Sequence, residues 1–202
     1  MIDLNEIKLY LPKYLSESSE QDLFENLKDF PQNLDARMYT TRHLDDEVIF
    51  QGDGIEGFLV INLPDRTIKE TKVVVLSNTC DIDLNNFRLH FSSLCYSPMF
   101  DLGKYIQKLE ARQIASPERI RQFAESVRRQ KISQIFFLPK GGKMSSDAFI
   151  FFDKINSCDN DSILRQNLTQ KRLFTLSNYG FYLFLFKLSI HFSRVREAVD
   201  RD

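Results

Sequence analysis

Short apolar runs separated by turn residues dominate residues 47–98. The segments are EVIFQGD, GFLVINL, KVVVLSN and RLHFSSLCYS, and each is rich in β-branched and aromatic residues. Several such runs within about 50 residues are typical of a compact, twisted antiparallel sheet or a small barrel. Because KVVVL is apolar on both faces, we expect it to form a central strand.

Helical spacing replaces this pattern over residues 101–131. Ser116 has the position of an N-cap, and Pro117 that of the first helical residue. The apolar positions that follow lie on one helical face: Ile120, Phe123, Ala124 and Val127. The pattern therefore predicts an amphipathic helix after Ser116.

The C-terminal part predicts a hairpin, a further strand and a long helix. QIFFLP and DAFIFFDKI flank the Lys-Gly-Gly-Lys turn, and RLFTL reads as the further strand. Ser177 or Asn178 can cap a helix over residues 179–199, whose apolar run is interrupted by Lys187. This run is shorter than the roughly 20 residues that cross a bilayer, so we expect a buried core helix and no membrane.

Charge is unevenly distributed although the net charge is −1. Residues 1–60 carry 13 acidic and 5 basic residues, whereas residues 103–143 carry 10 basic and 3 acidic ones. The two regions either neutralise each other within one fold or create a dipolar field that steers an anionic partner. The near-neutral total excludes a uniformly basic nucleic-acid-coating protein. An odd number of cysteines and a start unlike a secretory signal predict a cytoplasmic location.

The sequence QGDGIEGFLVINLPDRTIKETKVVVLSNTCDID, residues 51–83, resembles the opening of MazF/PemK-type toxin barrels. Gly52 and Asp53 match the turn before the family's first strand, and Val73 to Asn78 match its "VVLS-N" strand end. LHFSSLCYSP lies where that family has its next core strand. The resemblance covers residues 51–98 of the 202.

The resemblance implies metal-independent RNA cleavage without a cofactor, as in an endoribonuclease toxin or a phage-defence component. The family uses an arginine in its first long loop and a Thr or Ser at the end of the later strand. The family's arginine would stand just before VVVLS, but Glu-Thr-Lys occupies that place here, so Arg66 is the candidate for its role. Ser97 is the candidate for the hydroxyl residue, and the two are the catalytic candidates. The substrate-binding candidates are Lys69, Lys72, Asn78, Cys80 and Asp81. RNA, an antitoxin-like protein partner and a homodimer are implied in the same way.

The expected fold class is α+β: a small SH3-like antiparallel β-barrel with a helical insertion and with packed N- and C-terminal helices. Short helices are expected over residues 3–9 and 19–29, the second from its capping-box spacing. The organisation has three parts: a helical extension at 1–44, the barrel at 45–155 with its insertion at 101–131, and a C-terminal strand and helix at 156–202.

Two alternatives to an RNA-cleaving protein stay open. The first is a non-enzymatic protein-binding module built on the same barrel. The second is an enzyme with Cys80 as nucleophile, for which His43 or His90 would have to supply the base. The cysteines and histidines form no CxxC or HxxxH pair, so we expect no metal site.

Overall fold

The computed structural model describes residue 30 and residues 34–86 and 89–193. The helices expected over 3–9 and 19–29 lie outside these residues. The described chain is a mixed α+β structure, in which five α-helices and three 3-10 turns accompany one eight-stranded sheet. The α+β expectation is therefore confirmed at this level.

Every strand pair in the sheet is antiparallel. The strands are β1 Tyr39–Thr40, β2 Gly54–Asn62, β3 Asp65–Val75, β4 Ser93–Asp101, β5 Ile135–Leu138, β6 Ala148–Phe151, β7 Asn156–Asp159 and β8 Arg172–Leu176. Their order is β1-β8-β2-β3-β4-β6-β5, and β7 pairs with β4. Within the described residues β1 and β5 do not pair, so the sheet is not closed.

Four of the helices lie between strands in the sequence, and the fifth follows β8. The helices are α1 Thr79–Ile82, α2 Leu102–Ala111, α3 Pro117–Arg128, α4 Leu168–Lys171 and α5 Asn178–Ser193. The 3-10 turns are Ala36–Met38, Asn160–Ser162 and Arg165–Asn167. Both α2 and α3 lie in the expected insertion between β4 and β5. Ser116 caps α3 by accepting from Arg119 N at 3.4 Å, and Ser177 Oγ accepts from Gly180 N at 3.2 Å in the first turn of α5.

The prediction that KVVVL forms a central strand is confirmed. Val73 pairs with Ile55 of β2, and Val74 pairs with Ser97 of β4, so this part of β3 has a neighbour on each side. Successive side chains enter different cores, because side chains alternate along a strand. Val74 packs in the larger core, which contains α5, whereas Val73 and Val75 pack in a smaller one.

The prediction of a strand for EVIFQGD is wrong, and a buried arginine explains why. Residues 47–50 form no strand, although Ile49 is buried. The carbonyl oxygens of Asp46 and Val48 accept hydrogen bonds from the Arg172 guanidinium. This segment therefore has its carbonyl groups satisfied by a side chain from β8 instead of by a neighbouring strand.

Candidate interaction surface

The ends of β2 and β3 form a two-stranded arm, defined here as residues 58–72. β2 pairs with β8 only at Gly54 and Ile55 in the described chain, and β3 pairs with β4 only at Val73–Val75. The arm therefore continues past the strands that flank its base. Leu63 at its turn is 73% exposed.

Side chains from β4 and β7 hold the arm in place. The Tyr96 hydroxyl donates to Leu59 O at 2.6 Å, and the Tyr96 and Phe58 rings meet with centroids 4.9 Å apart. Asn156 Oδ1 accepts from Ile61 N at 2.9 Å. These contacts fix the β2 side of the arm from its base to the middle of its length.

The strand register sorts the arm's side chains into two faces. The regular pairs are Phe58 with Thr71, Leu59 with Glu70, and Val60 with Lys69. Opposite residues share a face, and neighbours along a strand alternate. Phe58 and Val60 lie on the inner face, against the smaller core. Leu59 lies on the outer face.

Three apolar side chains share this outer face. Alternation along each strand places Ile61 and Ile68 on the face of Leu59, where the register shifts between the Val60 and Asn62 pairs. We call Leu59, Ile61 and Ile68 the apolar strip. Their exposed fractions are 59%, 40% and 62%. The arm thus holds a row of large apolar side chains in solvent.

The basic candidates of the sequence analysis lie on this arm, whereas the catalytic serine lies elsewhere. Arg66, Lys69 and Lys72 are exposed on β3. Ser97 is 0% exposed, and its Oγ donates to Phe151 O at 2.8 Å. Ser97 pairs with Val74, eight residues from Arg66, which corresponds to about 26 Å along an extended strand. The fold therefore keeps Arg66 and Ser97 apart; Lys72 is the candidate cation nearest to Ser97 in register.

Asn78, Cys80 and Asp81 lie at the opposite end of β3 from Arg66. All three are exposed and belong to the short helix α1 or its cap. Asn78 Oδ1 accepts from Cys80 N at 2.9 Å and so caps the helix. The Cys80 carbonyl accepts from Asn86 Nδ2 at 2.9 Å. Asn78 and the Cys80 backbone thus order the loop after β3.

His43, one of the two histidines considered as a base for Cys80, has another neighbour. His43 Nδ1 lies 2.9 Å from Asp46 Oδ2, and the His43 ring packs on Phe50 with centroids 4.9 Å apart. These contacts keep His43 in the segment that the Arg172 guanidinium binds.

Asp53 and Arg172 form a buried ion pair, a role that the sequence analysis did not foresee. Both side chains are 0% exposed, and Arg172 Nε donates to Asp53 Oδ2 at 3.1 Å. The remaining guanidinium nitrogens donate to the carbonyl oxygens of His43, Leu44, Asp46 and Val48. Burial raises the pKa of Asp53 to about 6, although the Arg172 charge opposes this shift. The pair ties residues 43–48 to β2 and β8.

Lys187 is a second buried charge. It is 5% exposed in the middle of α5, and its Nζ donates to Gln130 O, Gln130 Oε1 and Ile132 O at 2.9 Å and to Ile135 O at 2.5 Å. Burial lowers the pKa of Lys187 to about 7. Lys187 thereby anchors the segment between α3 and β5. A lone charged residue within an apolar run was the available sequence signal for Lys187, whereas Arg172 directly follows Lys171 and has no such signal.

Within the described residues, three of the ten basic residues at positions 103–143 form ion pairs with nearby carboxylates. The ion pairs are Arg121 with Glu118 at 2.6 Å, Arg129 with Glu125 at 2.6 Å, and Arg128 with Asp147 at 3.7 Å. These carboxylates come from the same segment or from the loop before β6. The acidic residues of the first 60 positions supply none of the partners in these three pairs.

Neither sequence comparison nor the remaining geometry identifies a family or a cofactor site. Models of known protein families and curated protein sequences give no match to this chain. Across the described residues, no three His, Cys, Asp or Glu side chains are grouped so that they could hold a metal ion. The helices in that part of the chain are all too short or too polar to cross a membrane. The functional proposal therefore rests on the arm.

Proposed function

We propose that this protein is a non-enzymatic binding module that uses the arm to contact a partner protein. The exposed apolar strip carries this proposal. Single exposed apolar residues are common, but contiguous ones on a defined element mark interaction sites in soluble proteins. Leu59, Ile61 and Ile68 are neighbours on one face, and Leu63 extends this apolar surface at the turn.

The way in which the arm is held also supports binding. A contact surface that is ordered before association loses less conformational entropy when the partner arrives. Tyr96 and Asn156 bond the backbone of β2 at Leu59 and Ile61. The strip is therefore presented by a strand whose position is already fixed.

The strip's surroundings define the chemistry of the partner. Glu70 is opposite Leu59 on the outer face, and Lys72 follows Glu70 on that face by alternation. A partner that fits has an apolar centre with charges of both signs around it, as is usual at the rim of protein interfaces. This arrangement favours a folded protein surface over a small molecule.

The proposal also covers the shape of the sheet apart from the arm. We propose that this part of the sheet is an open form of the SH3-like barrel, in which β7 lies near β2 without pairing with it in the described residues. Its support is the hydrogen bond from Ile61 N to Asn156 Oδ1 and the 3.4 Å contact from Lys154 Nζ to Asn62 Oδ1. A cytoplasmic location fits the three cysteines, Cys80, Cys95 and Cys158, none of which forms a disulfide.

Matched surface variants test the binding function. The double variant Leu59→Ser/Ile68→Ser removes two strip residues, and Leu164→Ser, at a 69% exposed position outside the arm, serves as control. Tagged forms of each protein are used to capture partners from the native cell, followed by mass spectrometry. We expect a defined partner with the wild type and the control, and its loss with the double variant. Equal capture by all three proteins would contradict the proposal.

A MazF/PemK-like RNA-acting protein is the second candidate, and the arm's cations favour it. Arg66, Lys69 and Lys72 are exposed within seven successive residues of β3, and exposed basic side chains bind the phosphate backbone of nucleic acids. In this function Ser97 would contact RNA only after its hydroxyl left Phe151 O. Purified protein is incubated with total RNA and EDTA beside Arg66→Ala and Ser97→Ala. Cleavage lost in Arg66→Ala supports this candidate, and intact RNA in every sample removes it.

A further inference from the structure

We infer that the cleft between α2 and α3 is a binding site for a small aromatic carboxylate. The cleft belongs to the helical insertion and lies outside the arm, so this inference goes beyond the proposed function and does not depend on it. The lining of the cleft is mostly apolar and contains two aromatic rings, and the ionic side chain in that lining is an arginine.

The cleft is a pocket of about 260 Å³ beside the turn that joins the two helices. α2 ends at Ala111 and α3 begins at Pro117, and Gln113 between them has a φ of 50°, in the left-handed region. The lining of the pocket includes Tyr105 and Leu109 of α2, Ala115 of the connection, and Arg119, Ile120 and Phe123 of α3. Both helices and their connection therefore surround one space.

Contacts with the sheet hold the two aromatic rings of the pocket. The Tyr105 and Phe123 rings have centroids 6.0 Å apart, and the Tyr105 ring meets the Phe149 ring of β6 edge-on at 5.1 Å. Phe149 is buried, and so is Ile120 in the lining. Side chains that are packed before a ligand arrives lose little conformational entropy on binding. Because aromatic rings attract one another in offset and edge-on arrangements, this lining favours a ligand with a ring.

The charge around the pocket favours an anion. Residues 103–123 carry five basic and two acidic residues. One of the acids, Glu118, already binds Arg121 at 2.6 Å and Gln122 Nε2 at 3.2 Å. Arg119 is exposed and, unlike Arg121, pairs with no carboxylate among the described residues. Since a guanidinium can hold a carboxylate through two parallel hydrogen bonds, a ligand that fills the pocket and reaches Arg119 gains from an acid group at one end.

The volume limits the ligand to one ring with a short acidic chain. A water molecule takes about 30 Å³ in the liquid, so a pocket of about 260 Å³ holds about nine groups of that size. The compound 3-phenylpropionate is of this size, and its short chain lets the carboxylate reach Arg119 while the ring lies between Tyr105 and Phe123. A ligand this small binds with a dissociation constant on the order of 1 mM.

Amide NMR titrations of the full chain test the inference. The probe is 3-phenylpropionate, and 3-phenylpropionamide is its uncharged match; each is added up to about 10 mM. Arg119→Gln removes the charge from the lining, and Arg129→Gln makes the same change at the other end of α3 as a control. Ala115→Leu adds side-chain volume to the pocket. Circular dichroism checks that every variant is folded.

We expect saturable shifts of amides between residues 105 and 123 in the wild type. The carboxylate should bind about two- to fivefold more tightly than the amide, which is the range for an ion pair at an exposed position. Arg129→Gln should keep this preference. Arg119→Gln should bind both compounds without preference, and Ala115→Leu should bind neither, because its added side chain occupies the pocket.

Four results would overturn the inference. They are shifts in the wild type that do not saturate or that lie elsewhere, equal binding of the carboxylate and the amide, an equal loss of preference in Arg119→Gln and Arg129→Gln, and unchanged binding in Ala115→Leu. A captured protein that shifts these amides when 3-phenylpropionate does not would assign the pocket to a protein side chain instead. None of the variants changes the arm, so partner capture through Leu59 and Ile68 is a separate result.

Discussion

Replacing Arg172 by methionine tests most directly whether this side chain ties residues 43–48 to β2 and β8. Methionine is apolar and flexible enough to occupy part of the space of the arginine side chain. The variant Arg172→Met leaves the Asp53 carboxylate buried with no opposite charge. It also removes the donors of the carbonyl groups in residues 43–48.

The expected loss is large because both ionic groups are fully buried. Removing one partner of a buried ion pair costs about 3–5 kcal/mol, since the remaining charge has no compensation. For a protein of this size, 1 kcal/mol corresponds to about 2–4 °C in Tm, so a fall of about 6–20 °C is expected. Arg172→Lys keeps the charge but has fewer donors, and its loss should lie between wild type and Arg172→Met.

The loss should also depend on pH. Arg172 lowers the pKa of Asp53 in the wild type, whereas burial raises it from the ordinary 3.8 to about 6. Without Arg172 the pKa of Asp53 rises further. As pH falls, the folded variant therefore binds a proton on Asp53 well before the unfolded chain does, in which this group has a pKa near 3.8. The folded variant is stabilised by this uptake as pH falls. The difference from wild type should therefore be smaller at pH 5 than at pH 8.

Urea unfolding followed by circular dichroism measures this effect. The matched control is Arg121→Met, because Arg121 is 76% exposed and pairs with Glu118 at the surface. A surface pair of this kind contributes less than about 1 kcal/mol. If Arg172→Met were as stable as Arg121→Met, the assignment of Arg172 as the anchor of residues 43–48 would be wrong.

Three further predictions concern buried positions. Burial lowers the pKa of Lys187 from 10.5 to about 7, so between these two pH values the unfolded chain binds more protons than the folded chain. In that range the free energy of unfolding should rise with pH by up to about 1.4 kcal/mol per pH unit, and urea titrations of Lys187→Met should lack this slope. A Cβ on Gly180 would lie 2.3 Å from Met38 O, so Gly180→Ala should lower Tm although alanine favours helices by about 1 kcal/mol. Ser97→Ala removes the side-chain donor of Phe151 O, which still accepts from Lys154 N at 3.2 Å, so urea unfolding should show a loss of about 0.5–1.5 kcal/mol.

The elements that the sequence predicted well are those with a local cause. Ser116 and Pro117 start α3 through backbone capping, and KVVVL becomes a central strand because both of its faces are apolar. The hairpin of β5 and β6 also lies where two apolar runs flank a Gly-Gly turn. In each case the information lies within a few residues of the element.

What the sequence did not predict depends on contacts between distant residues. EVIF has strand composition, but Arg172, more than 120 positions later, binds the Val48 carbonyl that a strand would use. The burial of Ser97 depends on Phe151, 54 positions away. The arm begins where β8 stops pairing with β2 and β4 stops pairing with β3. The alternation of apolar and polar residues in β2 and β3 does not reveal this point.

Site-specific photo-crosslinking from the apolar strip shows whether the arm is the contact surface. A benzoylphenylalanine replaces Leu59 in one protein and Leu164 in another, each expressed in the native cell and irradiated. We expect crosslinks from position 59 to protein, either a second copy of the chain or another partner, and none of these products from position 164. An unmodified protein band at position 59, or crosslinks to RNA alone, would contradict the proposal.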